Sequence, residues 1–220
     1  MRWLRFVVQT RRHPSAVLLL VQLAGMLLYP FIEATELGRV GFGVFGIVVL
    51  IFTTRMVRST PGLTWVSVCI ALPAIVLVGL QALYGMPQLQ AWSAALEAVF
   101  YFYAAWSLIA YMLGDLRASS DELFAAAATF TLLAWGFTYT FLLVQALQPG
   151  SFAAAVNASA DRTWTELMYL SFALLSSTGI GDVIPLTPHA RAVAAVEMFV
   201  GVVYLAAVVS RLIGMTLIRR

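Results

Sequence analysis

Residues 164–185 read WTELMYLSFALLSSTGIGDVIP, and the fold turns on how that stretch is interpreted. It begins apolar, as a short helix would. At Ser176-Ser177-Thr178-Gly179-Ile180-Gly181-Asp182 it becomes polar and glycine-bearing where a helix should continue. The glycines and hydroxyl residues each weaken a helix interior. A lipid-facing segment is excluded as well, because extended backbone in hydrocarbon leaves its amides and carbonyls unsatisfied. Such backbone is tolerated at membrane depth only when it is buried in protein or lines a water-filled path. Long apolar runs stand on both sides. A short helix entering a Gly-x-Gly strand between two spans has the layout of a re-entrant pore loop.

Ser177, Thr178, Gly179, Ile180, Gly181 and Asp182, with Pro185 three residues further on, resemble the filter of the tetrameric potassium channels, TVGYG followed by Asp. Glycine at alternate positions permits backbone angles that aim successive carbonyls at one axis. Four such loops would supply the carbonyl rings that replace an ion's water shell. The resemblance implies that the carbonyls of Ser177, Thr178, Gly179 and Ile180 hold potassium ions. The Ser177 hydroxyl would close the innermost site, and Asp182 would stand at the outer mouth, bonded to Tyr169 or Trp164. Gly201, twenty residues after Gly181, falls where the family bends its inner helix. Two positions depart from the pattern. Ile180 replaces an aromatic residue that braces the filter, and Ala173 is apolar where some relatives carry a carboxylate. These departures keep a non-selective monovalent cation channel as the alternative to a potassium channel. The resemblance covers about residues 121–220 and does not extend to residues 1–118.

Of the 220 residues, 62% are hydrophobic and only 10% charged, where soluble domains carry roughly 25% charged residues. The chain is therefore expected to be an all-α integral membrane protein. Cys69 is the single cysteine, so no disulfide forms within the chain. The net charge of +3, carried by arginine without lysine, reads as topology rather than nucleic-acid binding.

Six spans are expected: about 14–32, 40–56, 63–84, 89–113, 121–147 and 188–218. The second is the weakest, since Arg39 and Arg55 leave it shorter than the roughly twenty residues a crossing helix needs. Snorkelling arginines would make up the difference. Gly85-Met86-Pro87 breaks the chain after the third span, and Pro149-Gly150 ends the fifth. Asp121 and Glu122 suit the start of the fifth helix, after a cap at Ser119 or Ser120. A basic start before an apolar run could be a secretory signal, but no small-x-small site follows it, so it is expected to be retained.

Arg2, Arg5, Arg11, Arg12, Arg55, Arg58, Arg117, Arg219 and Arg220 fall on one face of this topology; Arg39, Arg162 and Arg191 fall on the other. That bias places both termini in the cytoplasm of a cell membrane, a bacterial inner membrane on this reading. Residues 1–118 then form a four-helix scaffold and residues 119–220 a pore domain. The fourth span contains no arginine or lysine, only Glu97. Voltage sensing needs several translocated charges at about 2.3 kcal/mol per charge per 100 mV. The scaffold occupies a sensor's position without a sensor's chemistry.

Leu205, Val209 and Ile213 recur every four residues in the last span and would present an apolar constriction that gates by dewetting. Glu97 and Glu197 are intramembrane carboxylates, and such residues are functional candidates by default. A secondary transporter would show internal repeats and paired broken helices, neither of which is present. An intramembrane hydrolase would need a nucleophile with a histidine or metal partner, and His13 and His189 both sit at span edges. The expectation is a homotetrameric, non-enzymatic potassium channel whose partners are its own copies, membrane lipid and potassium ions. It would use no cofactor beyond those ions and bind no nucleic acid. No length remains after Arg220 for a ligand-binding domain, so a stimulus is expected to act through lipid, pH, tension, the termini or a separate protein.

Overall fold

Proline opens the first and the last long helix, where its missing N–H costs no helical hydrogen bond. The computed structural model describes residues 14–33, 51, 53, 64–84, 86–114 and 120–218. Its elements are α1 (Pro14–Glu33), α2 (Thr64–Tyr84), a 3-10 turn (Pro87–Leu89), α3 (Gln90–Leu113) and α4 (Ser120–Leu147). They continue with β1 (Phe152–Ala154), α5 (Trp164–Leu175), β2 (Val183–Pro185) and α6 (Pro188–Ile218). Among the described residues, five helices are long and apolar enough to cross a membrane: α1, α2, α3, α4 and α6. They make this a multi-pass membrane protein. Their bounds fall within a residue or two of those expected for five of the six spans. The second span, 40–56, lies outside the described residues except for Ile51 and Thr53.

The helix α4 is the centre of the structure. It packs most extensively on α3 and also touches α1, α5 and α6. Its Leu132, Ala134, Trp135, Phe137, Tyr139 and Phe141 are all buried, which explains why a helix without a polar face can still be specific. At Gly136 the ring of Phe102 from α3 comes within 2.9 Å of where a Cβ would stand. Rings tie the layers together. Trp164, the first residue of α5, meets Trp135 edge-on at 5.4 Å and Tyr29 of α1 at 4.9 Å. Of the N-terminal helices, α1 therefore packs directly on the short helix, through Tyr29.

Hydrogen bonds fix which helix ends lie together. Ser15 at the start of α1 donates from N and Oγ to Asp121 at the start of α4 (3.2 and 2.9 Å). Asp121 thus satisfies one of the orphan amides that every helix N-terminus leaves. Gln81 near the end of α2 donates to Ser93 near the start of α3 at 2.7 Å. Arg211, late in α6, pairs with Glu122 at 3.6 Å. The starts of α1 and α4 and the end of α6 accordingly share one face of the protein.

Candidate functional site

The loop 176–182 is held by what precedes it. Thr163 and Glu166 form a reciprocal capping box at the start of α5: the Glu166 amide donates to Thr163 Oγ1, and the Thr163 amide donates to Glu166 Oε2 at 2.8 Å. Such a box satisfies two orphan donors at once. Beside it Arg162 is buried, although it precedes a helix in a surface connection. Its guanidinium donates to the carbonyls of Val156, Asn157 and Ala160 and to Glu166 Oε1 at 3.0 Å. The Gln145 side chain of α4 grips the backbone of Arg162 on both sides, accepting from its N–H and donating to its carbonyl, each at 2.9 Å. The fork of a guanidinium suits this multiple grip on carbonyls. Arg162 thereby closes the whole connection between α4 and α5.

The other end of the loop is tied by two short strands. β1 and β2 pair antiparallel, with Phe152 opposite Pro185 and Ala154 opposite Val183. The amide of Ala155 adds a bond to the carbonyl of Asp182 at 2.9 Å, and that of Leu186 a bond to Ser151 at 2.8 Å. The loop is thus anchored at both ends, and its middle is exposed.

Within the loop, successive amides turn back to α5. Ser176 donates to Phe172 O, Ser177 to Leu174 O, and Thr178 and Gly179 both to Ala173 O, all between 3.0 and 3.1 Å. In a planar trans peptide the C=O points opposite to the N–H that follows it. The carbonyls of Ser176, Ser177 and Thr178 are therefore turned away from the helix that holds them, toward the exposed side. Ser177 at φ 58° and Gly179 at φ 68° are both left-handed. Gly179 adopts that region freely, whereas Ser177 takes a conformation that costs a side-chain-bearing residue about 1–2 kcal/mol. The alternation expected of Gly179 and Gly181 is thus carried by Ser177 and Gly179. Gly181 is not left-handed, and a Cβ at either glycine would meet no atom of its own chain. Ile180 is 49% exposed.

Asp182 accepts from the following amide, Val183 N–H, at 3.0 Å. Trp164, one of the two side chains expected to brace it, is instead buried in the aromatic cluster with Trp135 and Tyr29. Ala173 is buried, and its carbonyl rather than its side chain serves the loop.

The inner face of α6 carries one buried stripe, Ala190, Ala194, Glu197, Gly201 and Tyr204, at alternating steps of four and three. Gly201 is where α6 meets the end of α5: a Cβ there would lie 2.1 Å from the carbonyl oxygen of Leu175. The helix runs unbroken through this position. Tyr204 donates to the carbonyl of Ala126 in α4 at 2.6 Å. Leu205 and Val209 lie off this stripe and are exposed at 38% and 52%; the side chain of Ile213 lies outside the described residues.

Sequence reasoning located the loop but missed Arg162, Gln145 and Ser171. The capping box was legible as Thr-x-x-Glu before an apolar run. The burial of Arg162 left no signal beyond its place four residues ahead of Glu166.

Residues 127–217 match a family model described as "Ion channel". No curated protein and no solved structure matches the chain. The matched segment begins in α4 and ends in α6, so it contains α5, the exposed loop and both strands. The part of this chain that builds and holds the loop is similar to an ion channel domain.

Proposed function

We propose that four copies of this chain assemble around a common axis and pass potassium ions through a path lined by the carbonyls of Ser177, Thr178, Gly179 and Ile180. The observation that carries this reading is the direction of the loop peptides. Amides spent on α5 leave the carbonyls of Ser176, Ser177 and Thr178 facing outward on an exposed surface, as oxygen ligands for a hard monovalent cation. One loop offers only part of each ring, hence the homotetramer. The exposed apolar face of α6, with Val196, Phe199, Val202 and Val203, is the surface that would pack on neighbouring copies or line the passage.

On this reading α5 is a re-entrant pore helix, α4 the outer helix, α6 the inner helix and residues 1–118 a scaffold. Gly181 and Asp182 complete the outer mouth, Gly201 is the bending point of α6, and Leu205, Val209 and Ile213 form the constriction. Six crossings fit the helix ends: the start of α1 lies beside the start of α4, which calls for an even number of crossings between them, and α1, α2 and α3 supply three. Both termini then lie on the cytoplasmic face of a cell membrane. Ile180 favours a second reading, a channel that passes sodium as well, because an exposed isoleucine braces the loop by packing alone. Flux from liposomes holding the purified protein tests both. The potassium reading predicts release of potassium well ahead of sodium, with no release of a large organic cation. Equal potassium and sodium flux would establish the second reading, and no cation flux would reject both.

A further inference from the structure

Glu197 is fully buried in α6, one turn before Gly201. Its Oε1 contacts the hydroxyl of Ser171 in α5. The same hydroxyl lies 2.8 Å from the carbonyl oxygen of Ala134 in α4. Thr138 Oγ1 donates to that carbonyl as well, at 2.7 Å. A serine hydroxyl has one proton, and a backbone carbonyl has none. Two oxygen–oxygen contacts through one serine therefore need a second proton, and the carboxyl is the group that can bring it. Were Glu197 ionised, Ser171 would turn its proton to the carboxylate and face Ala134 with lone pairs against lone pairs. The second carboxyl oxygen, Oε2, is buried with no hydrogen-bond partner among the described residues. A charge there would stand bare in the membrane interior, which is costly.

From this we infer that Glu197 is a positioning residue of the loop and acts as a proton donor. Its carboxyl O–H bonds to Ser171 Oγ, whose own O–H bonds to Ala134 O, so that one relay clasps α6, α5 and α4. Ser171 stands two residues before Ala173, whose carbonyl takes the amides of both Thr178 and Gly179. A shift of α5 at Ser171 therefore moves the loop that the proposed function depends on. Other charges are engaged elsewhere. On α4, Asp121 bonds Ser15 and Glu122 pairs with Arg211, while Tyr139 stacks on Tyr101. On α5, Glu166 pairs with Arg162, and Tyr169 is 39% exposed. β2 has no titratable side chain. On α6 itself, His189 bonds Gln148, Arg191 donates to Pro185 O, and Tyr204 donates to Ala126 O. No counter-ion among the described residues bonds Glu197.

The test uses the full chain in liposomes, as wild type, Glu197→Gln, Glu197→Ala and Ser171→Ala. Infrared spectra give a readout that does not depend on conduction. A protonated-carboxyl band should be present at neutral pH in wild type and smaller by one carboxyl in Glu197→Gln. Absence of that difference overturns the inference whatever the flux. For flux, the glutamine amide can donate to Ser171 and cannot ionise. Glu197→Gln should therefore conduct like wild type at neutral pH and stay flat to alkaline pH, while wild type falls. Glu197→Ala and Ser171→Ala, each lacking one link, should lose about tenfold. Matching pH profiles in wild type and Glu197→Gln, or glutamine failing as fully as alanine, would overturn it. If no variant passes ions, the channel reading fails, and the infrared difference alone decides the relay.

Discussion

Substituting Gly201 with alanine tests the contact between α6 and the end of α5. The added methyl would be placed 2.1 Å from Leu175 O and 2.8 and 2.9 Å from its C and Cα atoms. To reach ordinary contact at 3.4 Å, the two backbones must part by about 1.3 Å. Neither partner can yield by rotating a side chain, because both are backbone. Overpacking of this kind costs about 1–3 kcal/mol, offset by the roughly 1 kcal/mol that alanine gains over glycine in a helix. The net is a loss of up to about 2 kcal/mol. Gly214 in the same helix is the control, since a Cβ there meets nothing within 4 Å, and Gly214→Ala should stabilise by up to about 1 kcal/mol. Thermal unfolding of both variants in detergent measures the difference, and Gly201→Ala should melt below wild type and Gly214→Ala at or above it. Leu175 is the last residue of α5, so the parting should also reduce ion flux. A Gly201→Ala protein as stable as Gly214→Ala, with unchanged flux, would refute the contact.

Gly179→Ala forces a side chain into φ 68°, at a cost of about 1–2 kcal/mol, and should abolish flux while the protein still reaches the membrane; unchanged flux would count against the loop. Arg162→Ala leaves three carbonyls of the α4–α5 connection and Glu166 without their shared donor and should destabilise by about 2–3 kcal/mol. Arg162→Lys should recover only part of this loss, because an ammonium lacks the planar fork; a melting series checks both. Val209→Asp should hydrate the proposed constriction and raise basal leak of cations from liposomes; unaltered leak would place the constriction elsewhere.

How much of this was readable in the sequence depends on the range of each interaction. Helix bounds were legible because their causes are local: Pro14 and Pro188 start helices, and Pro149-Gly150 stops one. The loop was legible because Gly-x-Gly after an apolar helix breaks the pattern of everything around it. The left-handed turn at Ser177 was not legible, because nothing in a serine announces that neighbouring amides will be drawn to Ala173 O. Arg162 was counted only as a charge on one face of the topology, with Arg39 and Arg191. Its burial depends on Gln145, seventeen residues earlier, and on carbonyls whose direction exists only once the connection is folded. Glu197 could be suspected from its place in an apolar span. Its partner Ser171 lies 26 residues away in another helix, beyond any periodicity. Gly201 could be singled out by its spacing from Gly181, but not the contact that its lack of a Cβ admits, with the carbonyl of Leu175. Short-range chemistry was written in the residues, and helix-to-helix contacts were not.

The central claim is that the carbonyls of Ser177, Thr178, Gly179 and Ile180 from several copies surround one ion path, the first two of them turned outward by amides spent on α5. A density map of the purified protein prepared in rubidium or thallium tests it most directly. The account predicts four copies about a common axis, with cation density on that axis at the level of those carbonyls. A monomer or dimer, or loops whose carbonyls face lipid with no cation between them, would contradict it.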